Sequence, residues 1–220
     1  MEDKQILEIL SELRKISKKR KFSQSIDLII NLKDIDLKKE KVESFATLPY
    51  APKKSNIAIL VTANNKKQAK EEFDLVITKE EFSKYAQDKK LLKKIAKENK
   101  FFVAQADLMT HVATSFGKVL GPRGKMPSPK AGCVVPPNIQ ALKSISEKLR
   151  KTMKIEAKGG KMIKLSIGKE DMKDEEILAN IKAVYNNLMN TLPKEKNNIK
   201  NILVKLTMGP ALKIGDKNEK

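Results

Sequence analysis

The spacing of apolar residues changes from a helical period to a strand period near the start of the chain. Apolar residues at helical spacing between positions 6 and 16 predict an amphipathic helix that ends in a basic run. From Ser25 to Leu32 apolar and polar residues alternate, which predicts a strand with one buried and one solvated face. A shorter stretch at 45–48 predicts a second strand. Prolines and lysines at 49–54 then indicate a linker and a domain boundary.

The middle of the chain follows a different pattern, in which the apolar runs are unbroken. Such runs predict buried strands at 57–61, 75–78 and 101–104. Helical spacing separates and follows them, at 66–72, 91–97, 108–120 and 139–150. Asp107 is the expected N-cap of the helix that starts at 108. Unbroken strands that alternate with helices predict a parallel, Rossmann-like sheet.

The alternating pattern returns in the last third of the chain. It predicts half-buried strands at 161–168 and 201–207, and a turn at Gly159-Gly160 makes 153–158 the expected hairpin partner of the first. Asp174 is the expected cap of the helix between them. Neither chain end has enough elements for a domain alone. We therefore expect an α/β protein with a discontinuous α+β domain (1–51 and 153–220, an antiparallel sheet with helices) and an inserted parallel α/β domain (52–152).

The three half-buried strands place polar residues on their solvated faces. If they pair in one sheet, they form a partly basic surface that contains Ser25, Asp27, Lys164, Ser166, Asn201, Lys205 and Thr207. Hydroxyl, amide and carboxylate groups in this mixture suit contacts to phosphate, ribose and bases of folded RNA. A solvated sheet face without a ligand explains the same pattern.

Several residues next to these strands leave two interpretations open. Phe22 suits either a contact to a base or a place in the core. Thr207-Met208-Gly209-Pro210 suits either a ligand contact or a strand-ending turn with a core methionine. The run 14–21 has no acidic residue and suits either phosphate binding or a solvated helix face.

Charge favours a polyanionic partner. The formal net charge is +19, which attracts phosphates well beyond the needs of solubility. Residues 120–130 hold three prolines, two glycines and three cations, and so predict a stiff basic loop. Nucleic acid is favoured over an acidic protein.

Catalytic chemistry finds little support in the sequence. The glycines near Lys125 lack P-loop spacing, and the turn at 61–65 has no dinucleotide fingerprint. One histidine, His111, and one cysteine, Cys133, cannot build a zinc site or a disulfide. We expect no cofactor and no metal. Because no apolar run approaches about 18 residues and no signal segment is recognisable, we expect a soluble intracellular protein without a membrane partner.

Three motifs, spread over nearly the whole chain, carry a family resemblance. They are Lys21-Phe22 with the strand that follows, the segment from Gly117 to Gly132 that contains GPRGKMPSPKAG, and Thr207-Met208-Gly209-Pro210. Together they resemble the ribosomal protein L1 family, which forms the mobile stalk of the large ribosomal subunit. Lys125 and Ser128, where bacterial members often have leucine and asparagine, resemble archaeal members.

The resemblance implies a non-enzymatic protein of the cytoplasmic ribosome, monomeric when free, with an RNA-binding domain built from both chain ends. Its implied partners are stalk-region ribosomal RNA, exit-site tRNA, whose release it aids, and its own mRNA, which it represses. Carried over by position, the implied RNA-binding residues are Lys21, Phe22, Ser25, Asp27, Lys164, Asn201, Thr207, Met208 and Gly209. Arg123, Lys125 and Lys130 belong to the family loop, which either adds RNA contacts or faces the hinge between the domains.

Two rival functions remain at this point. A nucleotide-using enzyme would bind a nucleotide saturably on the middle domain. A nonspecific chaperone or nucleoid protein would bind duplex DNA nearly as well as structured RNA, with affinity that falls steeply with salt.

Overall fold

The structure is a computed structural model that describes residues 3–36, 40, 42–52, 55–136, 142–157 and 160–215. The chain divides into two compact units. The end unit combines Met1–Lys53 with Lys151–Lys220, and the inserted unit is Lys54–Arg150. Each unit is described by itself below.

The described helices and strands are numbered in chain order. The α-helices are α1 (Asp3–Ile16), α2 (Lys66–Glu72), α3 (Phe82–Gln87), α4 (Lys89–Glu98), α5 (Met109–Leu120), α6 (Leu142–Lys151) and α7 (Asp174–Thr191). The strands are β1 (Ser25–Leu32), β2 (Glu43–Thr47), β3 (Asn56–Val61), β4 (Leu75–Thr78), β5 (Asn99–Gln105), β6 (Val134–Val135), β7 (Thr152–Glu156), β8 (Met162–Lys169), β9 (Ile199–Leu206) and β10 (Ala211–Ile214).

An antiparallel sheet in the order β10-β9-β1-β8 organises the end unit. The even-numbered residues of β1 are buried, and they join apolar residues of α1 and α7 in one hydrophobic core. The odd-numbered residues of β1 therefore lie on the opposite face, as the alternation predicts. The expected strands at 25–32, 161–168 and 201–207 are confirmed within this one sheet, with β9 shifted slightly toward the N-terminus.

The predicted hairpin between 153–158 and β8 is wrong. Strand β7 pairs instead with β2 in a separate two-stranded antiparallel sheet, where Ala46 lies opposite Met153. These two strands flank the insertion in sequence, so the chain leaves and re-enters the end unit side by side. Lys154 Nζ strengthens the pair, at 2.7 Å from Glu43 Oε1 and 3.1 Å from Glu156 Oε2. Strand β8 pairs with β1 and is the last strand of its sheet, and Gly159 of the expected turn lies outside the described residues.

Both predicted helix caps are also wrong. Asp107 lies inside a 3₁₀ turn, Ala106–Leu108, that precedes α5. Asp174 is the first residue of α7 rather than its cap, and its carboxylate pairs with Arg14. The last predicted helix of the insert is described from Leu142 onward, and residues 137–141 lie outside the described part of the chain.

The inserted unit contains a parallel sheet in the order β4-β3-β5-β6, which confirms the fold class. Its two central strands, β3 and β5, are almost entirely buried because helices cover them. Phe82 and Phe116 make an edge-to-face contact in its core, with ring centroids 5.1 Å apart. Among the described residues, no helix combines the length and apolar character needed to cross a membrane.

Candidate nucleic-acid interface

The start of β1 and the end of β9 are tied together by Ser25 and Thr207. The Thr207 N–H donates to the Ser25 carbonyl at 3.0 Å. The Thr207 hydroxyl donates to the same carbonyl at 3.2 Å, and its oxygen accepts from the Ser25 N–H at 3.1 Å. The residues predicted at opposite ends of the chain therefore meet at one end of the sheet.

Two large apolar side chains lie exposed beside this junction. Phe22 is 54% exposed and Met208 is 61% exposed, so the core interpretation of both residues is wrong. Both side chains are therefore accessible to a binding partner. Lys21, next to Phe22, is also exposed.

Gly209 lies in a closely packed turn. A Cβ atom at this position would lie 2.7 Å from Ser17 Oγ and 3.3 Å from Leu206 Cβ. The turn after β9 therefore packs against the end of α1, which carries the basic run. Glycine at 209 allows the exposed turn and the basic segment to lie side by side.

A shallow depression of about 270 Å³ lies on the polar face of the sheet. Asp27 lies opposite both Ser166 and Lys205 in the strand register, and Lys164 lies opposite Ile29. Burial raises the pKa of the Asp27 carboxyl, while the Lys205 charge and a hydrogen bond from Ser166 oppose that rise. The depression thus presents a partly desolvated acceptor between two ammonium groups, an arrangement suited to a hydroxyl flanked by phosphates.

Asn201 lies farther along the same face. It is opposite Asn31, whose Nδ2 donates to Asn201 Oδ1 at 2.6 Å. The structure therefore brings Ser25, Asp27, Lys164 and Asn201 onto one face of one sheet, with Thr207 at its end.

The cations of the basic run 14–21 differ in their surroundings. Arg14 donates to the Glu170 carbonyl at 2.5 Å and the Met172 carbonyl at 2.7 Å, and pairs with Asp174 at 2.8 Å. Its guanidinium therefore holds the loop between β8 and α7, and Arg14 is not free for phosphate. The other cations of the run, Lys15, Lys18, Lys19, Arg20 and Lys21, are exposed.

Two of the three cations in the family loop of the inserted unit donate hydrogen bonds to backbone carbonyls in and next to α4. Lys125 Nζ donates to the Ala96 carbonyl at 2.7 Å and the Asn99 carbonyl at 2.6 Å, at the end of α4. Arg123 donates to the Lys93 carbonyl at 2.9 Å. Burial and the nearby Arg123 charge lower the pKa of Lys125. Lys130 is exposed. The loop thus supplies hydrogen-bond donors to carbonyls at and near the C-terminal end of α4, a role that its sequence pattern does not predict.

Some residues of the site are not among those that the family resemblance implies. Ser166 and Lys205 line the depression, and the alternation already places both on the solvated face. Asn31 was detectable in the same way. Gln24 gives a different signal, since it is a polar residue in the buried register of β1.

Comparison with known proteins decides the family. A sequence profile of the Ribosomal protein L1p/L10e family matches residues 13–210. The chain belongs to this family. It is 42% identical over 201 residues to large ribosomal subunit protein uL1 of Nanoarchaeum equitans, covering 90% of this chain and 93% of that one. It is 40% identical over 217 residues to uL1 of Methanocaldococcus jannaschii, covering 97% and 96%.

A third archaeal relative gives the same picture. The chain is 38% identical over 212 residues to uL1 of Pyrococcus abyssi, covering 95% of this chain and 94% of that one. The L1 resemblance read from three motifs is therefore confirmed, and the similarity extends over both units.

Proposed function

We propose that this protein binds ribosomal RNA in the large ribosomal subunit through the polar face and the end of the four-stranded sheet. The observation that carries the proposal is the exposure of Phe22 and Met208, which lie close in sequence to the hydrogen-bonded pair Ser25 and Thr207. The family membership and the names of the relatives support the same partner.

Each part of the surface has a chemical role in this proposal. The exposed cations of 15–21 neutralise phosphates and supply affinity that does not depend on sequence. Asp27 accepts a hydrogen bond from a ribose 2′-hydroxyl or a base amino group, while Lys164 contacts a neighbouring phosphate. Phe22 and Met208 pack against unstacked bases or sugars, and Asn201 adds a polar contact farther along the face.

The finer function follows from the family resemblance. The RNA-binding domain consists of 1–51 and 153–220, and 52–152 form the inserted domain. The protein forms the mobile stalk near the tRNA exit site of the cytoplasmic ribosome, aids release of deacylated tRNA, and represses its own mRNA by binding a similar RNA fold. It is monomeric outside the ribosome and catalyses no reaction.

Competition binding tests the central proposal. Labelled stalk-region ribosomal RNA is bound to the protein and displaced by unlabelled stalk RNA, equal-length duplex RNA or duplex DNA, at low and moderate salt. Specific recognition predicts that the stalk preference survives the higher salt, at about 10³-fold or more. Equal displacement by all competitors, with affinity lost as salt rises, would leave a nonspecific polycation.

The proposed repression of the protein's own mRNA is tested by a separate binding measurement. A leader fragment of the protein's own mRNA should compete with stalk RNA for the same surface, and Met208→Ala should weaken both complexes. Binding of the leader that is unaffected by Met208→Ala, or absent altogether, would contradict repression through this surface.

A further inference from the structure

We propose that Gln24 is a positioning residue of the RNA-binding surface, which it sets without touching RNA; the inference rests on the proposed function. Gln24 is 1% exposed, so its side chain is inaccessible to a ligand. It immediately precedes β1 and continues the buried register of Ile26 and Leu28. A buried amide at a position suited to an apolar residue needs hydrogen-bond partners.

The partners of Gln24 belong to the segments that form the surface. Its Oε1 accepts from the Met208 N–H at 3.1 Å, within the exposed turn after β9. Its Nε2 makes a long contact of 3.5 Å to the Lys18 carbonyl, in the basic segment. Its backbone carbonyl accepts from the Glu170 N–H at 2.8 Å, at the end of β8. One side chain therefore links the basic segment to the turn.

These contacts fix the position of the Met208 peptide relative to the start of β1 and to the basic segment at Lys18. The neighbouring residues Thr207 and Ser25 are joined by three hydrogen bonds, and Gln24 extends this connection to the next peptide of the turn. An apolar replacement leaves the Met208 N–H without its acceptor and frees the turn to move. The exposed side chains remain, but their spacing is no longer held for one RNA shape.

The chain provides a matched control at the other end of the same two strands. Asn198 is also a fully buried amide, and it bonds the Lys33 and Asp34 carbonyls at 3.1 and 3.2 Å. Its Oδ1 accepts from the Lys194 N–H at 2.8 Å. Loss of this amide disturbs the end unit at the strand end away from Thr207 and Met208, and Asn201, three residues along the chain, is the proposed RNA contact at that end.

The experiment compares Gln24→Met with Asn198→Leu in the full chain, below the melting temperature of both. The stalk-RNA preference over duplex RNA is expected to fall about tenfold in Gln24→Met and to stay at the wild-type value in Asn198→Leu. In a double-mutant cycle, Gln24→Met with Met208→Ala should lose little more than Met208→Ala alone, because both changes act on one turn.

Each alternative outcome has a distinct meaning. Retained preference in Gln24→Met, an equal loss in Asn198→Leu, or additive effects in the cycle would overturn the positioning role while the proposed function stands. A wild-type protein without stalk preference would overturn both. If Gln24→Met does not fold, Gln24→Asn keeps a buried amide but withdraws it from Met208, and the same loss is expected.

Discussion

Asp27 combines a carboxylate with surroundings that disfavour its charge. Burial in the central strand raises the pKa of this group, and Lys205 and Ser166 only partly offset the effect. Such an ionised carboxylate lowers the stability of the free protein at neutral pH, and a ligand that donates hydrogen bonds to it offsets that cost. The residue is therefore better explained by binding than by folding.

We predict that Asp27→Asn stabilises the free protein at pH 7 while it weakens stalk-RNA binding about tenfold. Because the folded pKa lies above the unfolded one, the cost of the ionised group is present at neutral pH and disappears as pH falls through the folded pKa. The gain in melting temperature should accordingly shrink in acid. Thermal melts from pH 7 to pH 4 check this.

Glu80→Gln is the control for this variant, since it removes one exposed negative charge from the inserted unit. It should leave stalk binding unchanged. A lower melting temperature for Asp27→Asn at pH 7, or unchanged RNA affinity, would contradict the role given to Asp27.

We predict that Met208→Ala weakens stalk-RNA binding by about 1.5–3 kcal/mol if RNA covers the side chain. The melting temperature should barely change, because Met208 is mostly exposed in the free protein. Binding curves and melts on the same samples give both quantities. Tyr50→Ala, which truncates another exposed side chain of the end unit, should leave affinity unchanged; equal affinities for Met208→Ala and wild type would exclude Met208 as a contact.

At the scale of elements, the helices and strands could be predicted from the sequence wherever the spacing of apolar residues determines them. The alternation of apolar and polar residues in β1, β8 and β9 identifies the residues on the solvated face. The unbroken apolar runs of β3 and β5 indicate a parallel sheet. Pairing of β7 with β2 could not be predicted, because it joins segments separated by the whole insertion. Strands β6 and β10 are too short to show a period, and the contacts of Gln24 and Lys125 depend on tertiary packing.

We predict that Lys125→Met destabilises the inserted unit by about 1–3 kcal/mol, because two carbonyls at the end of α4 lose a charged donor. Stalk-RNA affinity of the folded protein should not change. Chemical denaturation combined with RNA binding checks both statements. Lys130→Met is the matched control, since Lys130 is exposed in the same loop; equal stability of the two variants would contradict the capping role.

At the scale of the whole molecule, the insertion leaves and re-enters the end unit at one place. Thr47 lies opposite Thr152, and the Leu48 N–H donates to the Lys151 carbonyl at 3.0 Å. Asn180 holds Tyr50 just beyond, with bonds of 3.1 and 3.0 Å to its backbone N–H and carbonyl. The end unit therefore forms its own hydrogen bonds right up to the residues at which the insertion begins.

We predict that replacement of residues 53–150 by a flexible linker of about four residues leaves a folded protein that keeps its stalk preference. The β2–β7 register places the two ends close enough for such a loop. Circular dichroism and competition binding check the two parts. A folded but nonselective product would show that the inserted unit supplies specificity.

The most direct measurement of the central claim compares two sets of variants on one stalk-RNA fragment. Asp27→Asn with Met208→Ala alters the sheet surface, and Arg123→Ala with Lys130→Ala removes the two exposed charges of the loop. The account predicts that the sheet variant loses its preference over duplex RNA while the loop variant keeps it. Loss of preference in the loop variant, with the sheet variant unchanged, would contradict the account and move RNA recognition to the inserted unit.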